Sequence, residues 1–207
     1  MSPLLIAFVG ALLLPLFAAS WRLSLFGLAA QGFLIAWISH QVDPAVDTVG
    51  AWVAMVDLIG VRGVGAPLVL YAVLRAQRAT ARHDVLSPNL MSWTLAIALV
   101  LVAFRFADMV VPVEGNEHVF VAGATAGLLL GLLVLATQTG PFSQMVGVLR
   151  IENAIALFEL GGRHRDPWMQ VAQTVLLVAT VLLFRWYLRT LPVSSTVKVS
   201  AVEGMTQ

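Results

Sequence analysis

Cysteine is absent from this chain of 207 residues, so disulfides, thiolate metal sites and iron–sulfur ligation by cysteine are excluded. Charged residues are scarce: they make up 11% of the chain, whereas soluble domains carry roughly 25%. The sequence has no glycine-rich phosphate loop after a strand and no nucleophile–base motif, and its four histidines are not clustered. We therefore expect no catalytic site of the chain's own, and no bound cofactor or metal.

Hydrophobic residues make up 59% of the sequence instead, and the mean hydropathy is +0.90. They form runs of about 20 residues, the length that a helix needs to cross a bilayer. This pattern predicts an all-α polytopic membrane protein with about seven transmembrane helices. The predicted spans are 3–19, 22–39, 51–73, 90–111, 117–137, 142–160 and 168–189. They form a single transmembrane domain, 1–190, followed by a short polar tail, 191–207.

The placement of basic residues predicts the orientation of the chain. The predicted loop from Leu74 to Asn89 contains Arg75, Arg78 and Arg82, whereas loops 40–50 and 112–118 contain acids and no lysine or arginine. Arginine and lysine near span ends favour the cytoplasm. We therefore expect an external N-terminus and a cytoplasmic C-terminus.

Three predicted spans contain ionisable residues, which are costly at mid-membrane and are therefore candidates for function. They are Asp57 and Arg62 in the third span, Arg105 and Asp108 in the fourth, and Arg150, Glu152 and Glu159 in the sixth.

Spacing separates these candidates. Arg105 and Asp108 are three residues apart, so they can pair on one helix face, either as a structural ion pair or in a functional role. Asp57 and Arg62 are five apart, which places them roughly 140° apart around a regular helix. We therefore expect each of these two residues to need a partner from another helix.

Glu152 is the strongest single candidate, and Asn153 follows it. A carboxyl group withdrawn from water can exchange a proton near neutral pH. Arg62 or Arg150 nearby would instead hold Glu152 ionised, so a proton relay and a fixed buried ion pair both remain open. Glu159 lies on the same helix face about 10 Å further along the axis, which suits stepwise proton movement.

Two glycine-rich patterns also stand out. Gly60, Gly63 and Gly65 precede Pro67, which has no amide hydrogen, so a break or kink in the third span is predicted there. Arg62 on this segment either satisfies freed carbonyls or stabilises the ionised form of a nearby carboxylate.

The other pattern is a repeat of glycine every four residues in the fifth span, which serves either as a docking face for another subunit or as packing within the chain. Its members are Gly123, Gly127 and Gly131.

Two short motifs point to a family. The first is Trp21-Arg22-Leu23-Ser24, followed by Ala29 and Gln31, at the entry to the second span. The second is Gly147 with Glu152-Asn153, and between the two motifs stand Arg62 and Pro67-Leu68. In these features, and over most of its length, the chain resembles the hydrogenase-4 component E family, relatives of the small subunit K of respiratory complex I. That family tends to have a lysine where Arg62 stands.

The resemblance implies a non-catalytic membrane-arm subunit of a redox-driven, proton-translocating complex in a bacterial or archaeal cytoplasmic (inner) membrane. Its partners would be antiporter-like membrane subunits, a redox module of the hydrogenase or complex I type and the lipid bilayer, with no nucleic acid. The resemblance carries over Glu152 as the relay carboxylate and Arg62 as its basic partner. The charge pattern adds Glu159 and Asp57 to the expected relay, which is supported by Arg150, Asn153, Arg105, Asp108 and Gln31.

The chain departs from this pattern at three places. Arg150 stands where the complex I subunit has its glutamate, the fifth span offers Thr125 instead of a second glutamate, and Ala172 or Gln173 stands where an aspartate is expected. A purely structural subunit that docks antiporter-like partners is therefore an alternative reading. An independent ion or solute transporter is another.

Overall fold

The computed structural model describes residues 3–17, 20–42, 49–76, 90–111, 116–161 and 167–190. The polar tail 191–207 and the loop residues Arg78 and Arg82 lie outside these ranges. Apart from short connections, the described chain is helical. Its elements are α1 (Pro3–Phe17), α2 (Trp21–Val42), α3 (Val49–Met55), the π segment (Val56–Gly65), α4 (Ala66–Ala76), α5 (Leu90–Val110), α6 (Asn116–Thr137), α7 (Pro141–Leu160) and α8 (Pro167–Thr190).

Because α3, the π segment and α4 follow one another without a gap, they form one continuous rod over residues 49–76. The described ranges therefore contain seven helical rods, at the positions of the seven predicted spans. Five of the rods are long and apolar enough to cross a membrane: those formed by α2, α3 to α4, α5, α6 and α8. These rods indicate a multi-pass membrane protein. The remaining two, α1 and α7, are not among the five.

Local sequence explains where α7 begins. Gly140 has extended backbone angles, φ −69° and ψ 133°, and caps the helix, and Pro141 occupies its first turn. Proline fits there because its missing N–H would have had no partner within the helix. The turn between α6 and α7 is consequently short, and the two helices pack side by side along their length.

Glycine allows this close packing. A Cβ atom added to Gly127 would lie 2.9 Å from the Cβ of Ala154, and one added to Gly131 would lie 2.6 Å from Ile151. Gly123, on the same stripe, is buried. The glycine stripe therefore faces the interior of this chain, as the interpretation of packing within the chain predicts. Gly127 and Gly131 are not available as a docking face for another subunit.

Two helices differ from the others in how much surface they leave uncovered. Only 17% of the most apolar window of α5 or of α8 is buried, against 56% for α2 and for α6. The uncovered side chains are large and apolar, such as Met109 and Leu183. Apolar patches of this size are rare on proteins surrounded by water. A lipid environment accounts for such apolar surface.

The buried side chains form two main apolar cores. The first core joins α1, α5 and α6, and the second joins α4 and α8. Helices α2 and α7 contribute to both: Leu28 and Leu149 belong to the second core, Ile35 and Leu157 to the first. In the rod over residues 49–76, Leu58 belongs to the first core and Leu70 to the second. Each of these three rods therefore packs into one core along one half and into the other core along the other half. Polar residues lie between the two halves.

Candidate functional site

The site begins with the π segment, in which Arg62 pairs with Asp57. The Arg62 Nε donates to Asp57 Oδ2 at 2.7 Å, and the two side chains are 1% and 5% exposed. The expectation that each residue needs a partner from another helix was wrong for Asp57, which pairs within its own rod, whereas Arg62 also has partners in α7. A π-helix bonds main-chain groups five residues apart, so side chains at i and i+5 come onto the same side. The Ala66 N–H, which bonds the Val61 carbonyl, shows this register.

Glycine and proline account for the register. Pro67 cannot donate a main-chain hydrogen bond, and the glycines before it tolerate the wider turn. A Cβ on Gly65 would lie 3.0 Å from the Gly60 carbonyl oxygen. The predicted break or kink takes the form of a wider helical turn in a continuous rod. Wide turns of this type are frequent at functional sites.

Helix α2 approaches the π segment through glycine. A Cβ on Gly32 would lie 2.6 Å from the Gly63 nitrogen and 2.8 Å from the Arg62 carbonyl carbon. The two backbones are thus in direct contact, and this contact places α2 against the turn that carries Arg62. Since the obstructing atoms are main-chain atoms, no rotamer change could make room for a larger residue.

Arg62 also bonds to α7, and through α7 it is linked to two further helices. Its Nη1 donates to the main-chain carbonyl of Glu152 at 2.9 Å and to Asn153 Oδ1 at 3.4 Å. The Asn153 amide donates to Gln31 Oε1 at 3.4 Å, and the Gln31 amide donates to the Ala11 carbonyl at 3.4 Å. A chain of hydrogen bonds therefore runs from the π segment through α7 and α2 to α1. Asn153 and Gln31 are buried along with Arg62.

These contacts lie halfway along their helices. Gln31, Arg62 and Arg150 are each within one residue of the midpoint of their rods, and Asn153 is within three residues, or about 4 Å, of the midpoint of α7. We call these four residues, together with Asp57, which pairs with Arg62, and Glu152, which precedes Asn153, the central layer. It consists of Gln31, Asp57, Arg62, Arg150, Glu152 and Asn153. If the rods cross a membrane, the central layer lies near its middle, where charge is most costly.

The charges within the central layer are balanced. Arg62 and Arg150 are each 1% exposed, and the layer also contains the carboxyl groups of Asp57 and Glu152. Asp57 Oδ1 and Arg62 Nη2 are buried and have no hydrogen-bond partner among the described residues. The pair thus retains one acceptor and one donor that its own contacts do not use. Buried polar atoms of this kind call for a specific explanation.

The two glutamates of α7 have different contacts. Arg62 donates to the main-chain oxygen of Glu152, while its Nε donates to Asp57. Of the two alternatives left open for Glu152, a direct ion pair between its carboxylate and Arg62 is not formed. Glu159 accepts a hydrogen bond from the Gln173 amide of α8. Gln173 is one of the positions at which the resemblance led us to expect an aspartate. Both glutamates are partly buried and lie within electrostatic range of Arg62.

A second group of charges lies near the ends of α5 and α6. We call Arg105, Asp108 and His118 the edge cluster. The expected pair has an Arg105 Nη1 to Asp108 Oδ2 distance of 3.9 Å, and the Arg105 side chain is 82% exposed. The closer partner of Asp108 is His118, whose Nε2 lies 2.7 Å from Asp108 Oδ1.

The edge cluster contains a residue that sequence reasoning missed. His118 was set aside because it lies at a predicted span end. The available signal was its separation of ten residues from Asp108 across a short loop, which brings the two helix ends together. In the ranges that the structure describes, no group of three metal-binding side chains occurs.

Comparison with models of known protein families, with curated proteins and with solved structures found no match for this chain.

Proposed function

We propose that this chain is a non-catalytic subunit of a redox-driven, proton-translocating membrane complex of the group 4 hydrogenase or complex I type. In this proposal all seven rods cross the membrane, with the N-terminus outside and the C-terminus in the cytoplasm. Antiporter-like subunits and a redox module are the partners. Glu152 and Glu159 are the groups that take up and release protons.

The observation that carries this proposal is the central layer. A buried arginine–aspartate pair at mid-height costs free energy, because desolvation of the two ions can exceed their mutual attraction. In hydrocarbon that cost is larger still, so ionisable groups at this depth usually mark an ion pathway. Three rods contribute side chains to the layer, and its hydrogen bonds reach a fourth rod, α1.

In this proposal the acids have different roles. Asp57 is held by Arg62 and acts as a fixed charge. Glu152 has a side chain that is partly exposed, next to that fixed pair, and it exchanges the proton. Glu159 lies seven residues later on the same face, about 10 Å along the axis, so waters or other side chains bridge the gap. Gln173 orients Glu159 by its hydrogen bond.

The experiment starts with the tagged native chain, purified in mild detergent, and mass spectrometry of the proteins that accompany it. We expect antiporter-like and hydrogenase-like or complex I-like subunits. Glu152→Gln should then leave these partners in place and lower proton movement, because glutamine resembles glutamate in shape but carries no exchangeable acid. A chain that purifies alone and transports ions in liposomes would contradict membership of a complex and favour an independent transporter.

A structural docking subunit is the second candidate, and the closed Asp57–Arg62 pair is the observation that favours it. If all the charges serve only as buried pairs, Glu152→Gln changes neither proton movement nor coupling. Replacing Arg62 would then release partners by disturbing the fold. The two readings therefore differ in the response of proton movement to a substitution that preserves assembly.

A further inference from the structure

A groove lies between the first turns of α2 and the first half of α4, on the outside of the bundle. It has a volume of about 220 Å³, well above the roughly 15 Å³ that a cavity needs to hold one water molecule. Its lining is apolar except at one end. The lining residues are Arg22, Leu25, Phe26, Ala29, Pro67, Leu68 and Tyr71. Phe26 and Leu68 are 68% and 59% exposed, so the groove opens toward the surroundings of the bundle.

The helices that form the groove run antiparallel. Gly32 meets Gly63 at the backbone contact, and the groove is lined by residues that precede Gly32 in α2 and residues that follow Gly63 in α4. Each step toward the start of α2 is matched by a step toward the end of α4. Arg22 and Arg75 are both exposed. Arg22 lines the polar end of the groove, and Arg75, which is outside the lining, follows Tyr71 by one helical turn.

We infer that this groove binds an anionic glycerophospholipid. The guanidinium groups of Arg22 and Arg75 bind the headgroup phosphate, and one acyl chain lies along Phe26, Ala29 and Leu68. Arginine suits this role because its planar donors match phosphate oxygens. Basic pockets between transmembrane helices on the cytoplasmic side bind anionic headgroups in this way. Both arginines lie near span ends that the distribution of basic residues predicts to be cytoplasmic.

Charge complementarity selects this occupant. A protein helix in the groove would have to bury two arginines against its own surface. A lipid instead keeps the arginines at the headgroup level, where they reach water, while its chain covers the apolar lining. The inference requires a membrane location for the chain and is independent of the proposed proton relay.

The test is native mass spectrometry of the purified chain in detergent, with dioleoyl phosphatidylglycerol or dioleoyl phosphatidylcholine added. These probes share acyl chains and differ in headgroup charge. We expect one phosphatidylglycerol to be retained about tenfold more strongly than phosphatidylcholine, because two arginines face its phosphate without a compensating choline. The double variant Arg22→Gln/Arg75→Gln should remove this preference. Ala29→Trp, which fills the groove, should reduce retention of both lipids.

Arg189→Gln is the matched control, since Arg189 lies in the last turn of α8 and no residue of α8 lines the groove. It should leave the preference unchanged. Equal retention of both lipids by the native chain would overturn the inference. So would an equal loss with Arg189→Gln, because the preference would then reflect overall positive charge. Circular dichroism of each variant reports whether the helices persist, and Ala29→Trp tests the groove without removing charge.

Discussion

The central layer and the edge cluster both contain charged residues in apolar helices, yet their settings are opposite. In the central layer Arg62 and Asp57 are almost fully buried and bond at 2.7 Å. In the edge cluster the Arg105 side chain is 82% exposed and lies 3.9 Å from Asp108. Arg105 is five residues, or about 8 Å, from the end of α5, close enough for its long side chain to reach the headgroups.

This difference teaches that spacing along the sequence is a poor guide to pairing where the helix is irregular. The residues three apart, which a regular helix brings together, form the looser pair. The residues five apart, which a regular helix separates, form the tighter one. The glycines and Pro67 around Arg62 change the register and thereby reverse the expectation.

The largest expected effect comes from breaking the central pair. Arg62→Met leaves the Asp57 carboxylate buried without its partner, and removing one member of a buried ion pair costs about 3–5 kcal/mol. Unfolding of the purified protein in mild detergent, followed by circular dichroism, measures this loss. Arg105→Met is the matched control at the edge, with an expected change of about 1 kcal/mol or less. Equal losses for the two variants would remove the distinction between the regions.

An intermediate effect is expected at the contact between α2 and the π segment. Gly32→Ala places a methyl group 2.6 Å from a main-chain nitrogen, so the helices must separate, at a cost of about 1–3 kcal/mol. Gly10→Ala on α1 is the control, because a Cβ there meets nothing within 4 Å. The same unfolding measurement applies. If Gly32→Ala were as stable as Gly10→Ala, the close backbone approach would not hold.

The smallest effect is expected in the edge cluster. Asp108→Asn keeps a hydrogen-bond acceptor for His118 but removes the charge that faces Arg105, and exposed ion pairs such as Arg105–Asp108 contribute about 1 kcal/mol or less. The stability of the variant in detergent should therefore remain close to that of the native chain, and capture of partner subunits should be unchanged. A loss of stability as large as that of Arg62→Met would mean that the edge cluster contributes as much to stability as the central pair does.

The sequence allowed the helices to be predicted because their signal is local. Runs of apolar residues placed the second, fourth and last spans within a few residues of Trp21–Val42, Leu90–Val110 and Pro167–Thr190. The ionisable residues of the central layer were also identified, since charge is conspicuous in such runs. Glu159 was found in the same way.

What the sequence could not predict depends on register and on distant contacts. The Asp57–Arg62 pair requires the π-helical turn, for which Gly60 to Pro67 gives only a hint that the helix is irregular. The link from Asn153 to Gln31 joins residues 122 positions apart, and no single-helix pattern encodes it. The contact of Gln173 with Glu159 likewise depends on how α8 packs against α7.

The most direct test of the proposed relay is proton uptake by inverted membrane vesicles that contain the assembled complex, measured per electron transferred. We predict that Glu152→Gln lowers this ratio while the partner subunits still copurify. Glu117→Gln, which changes a glutamate in the first turn of α6, should keep the native ratio. An unchanged ratio in Glu152→Gln, with assembly intact, would contradict the relay and leave the central layer with a structural role.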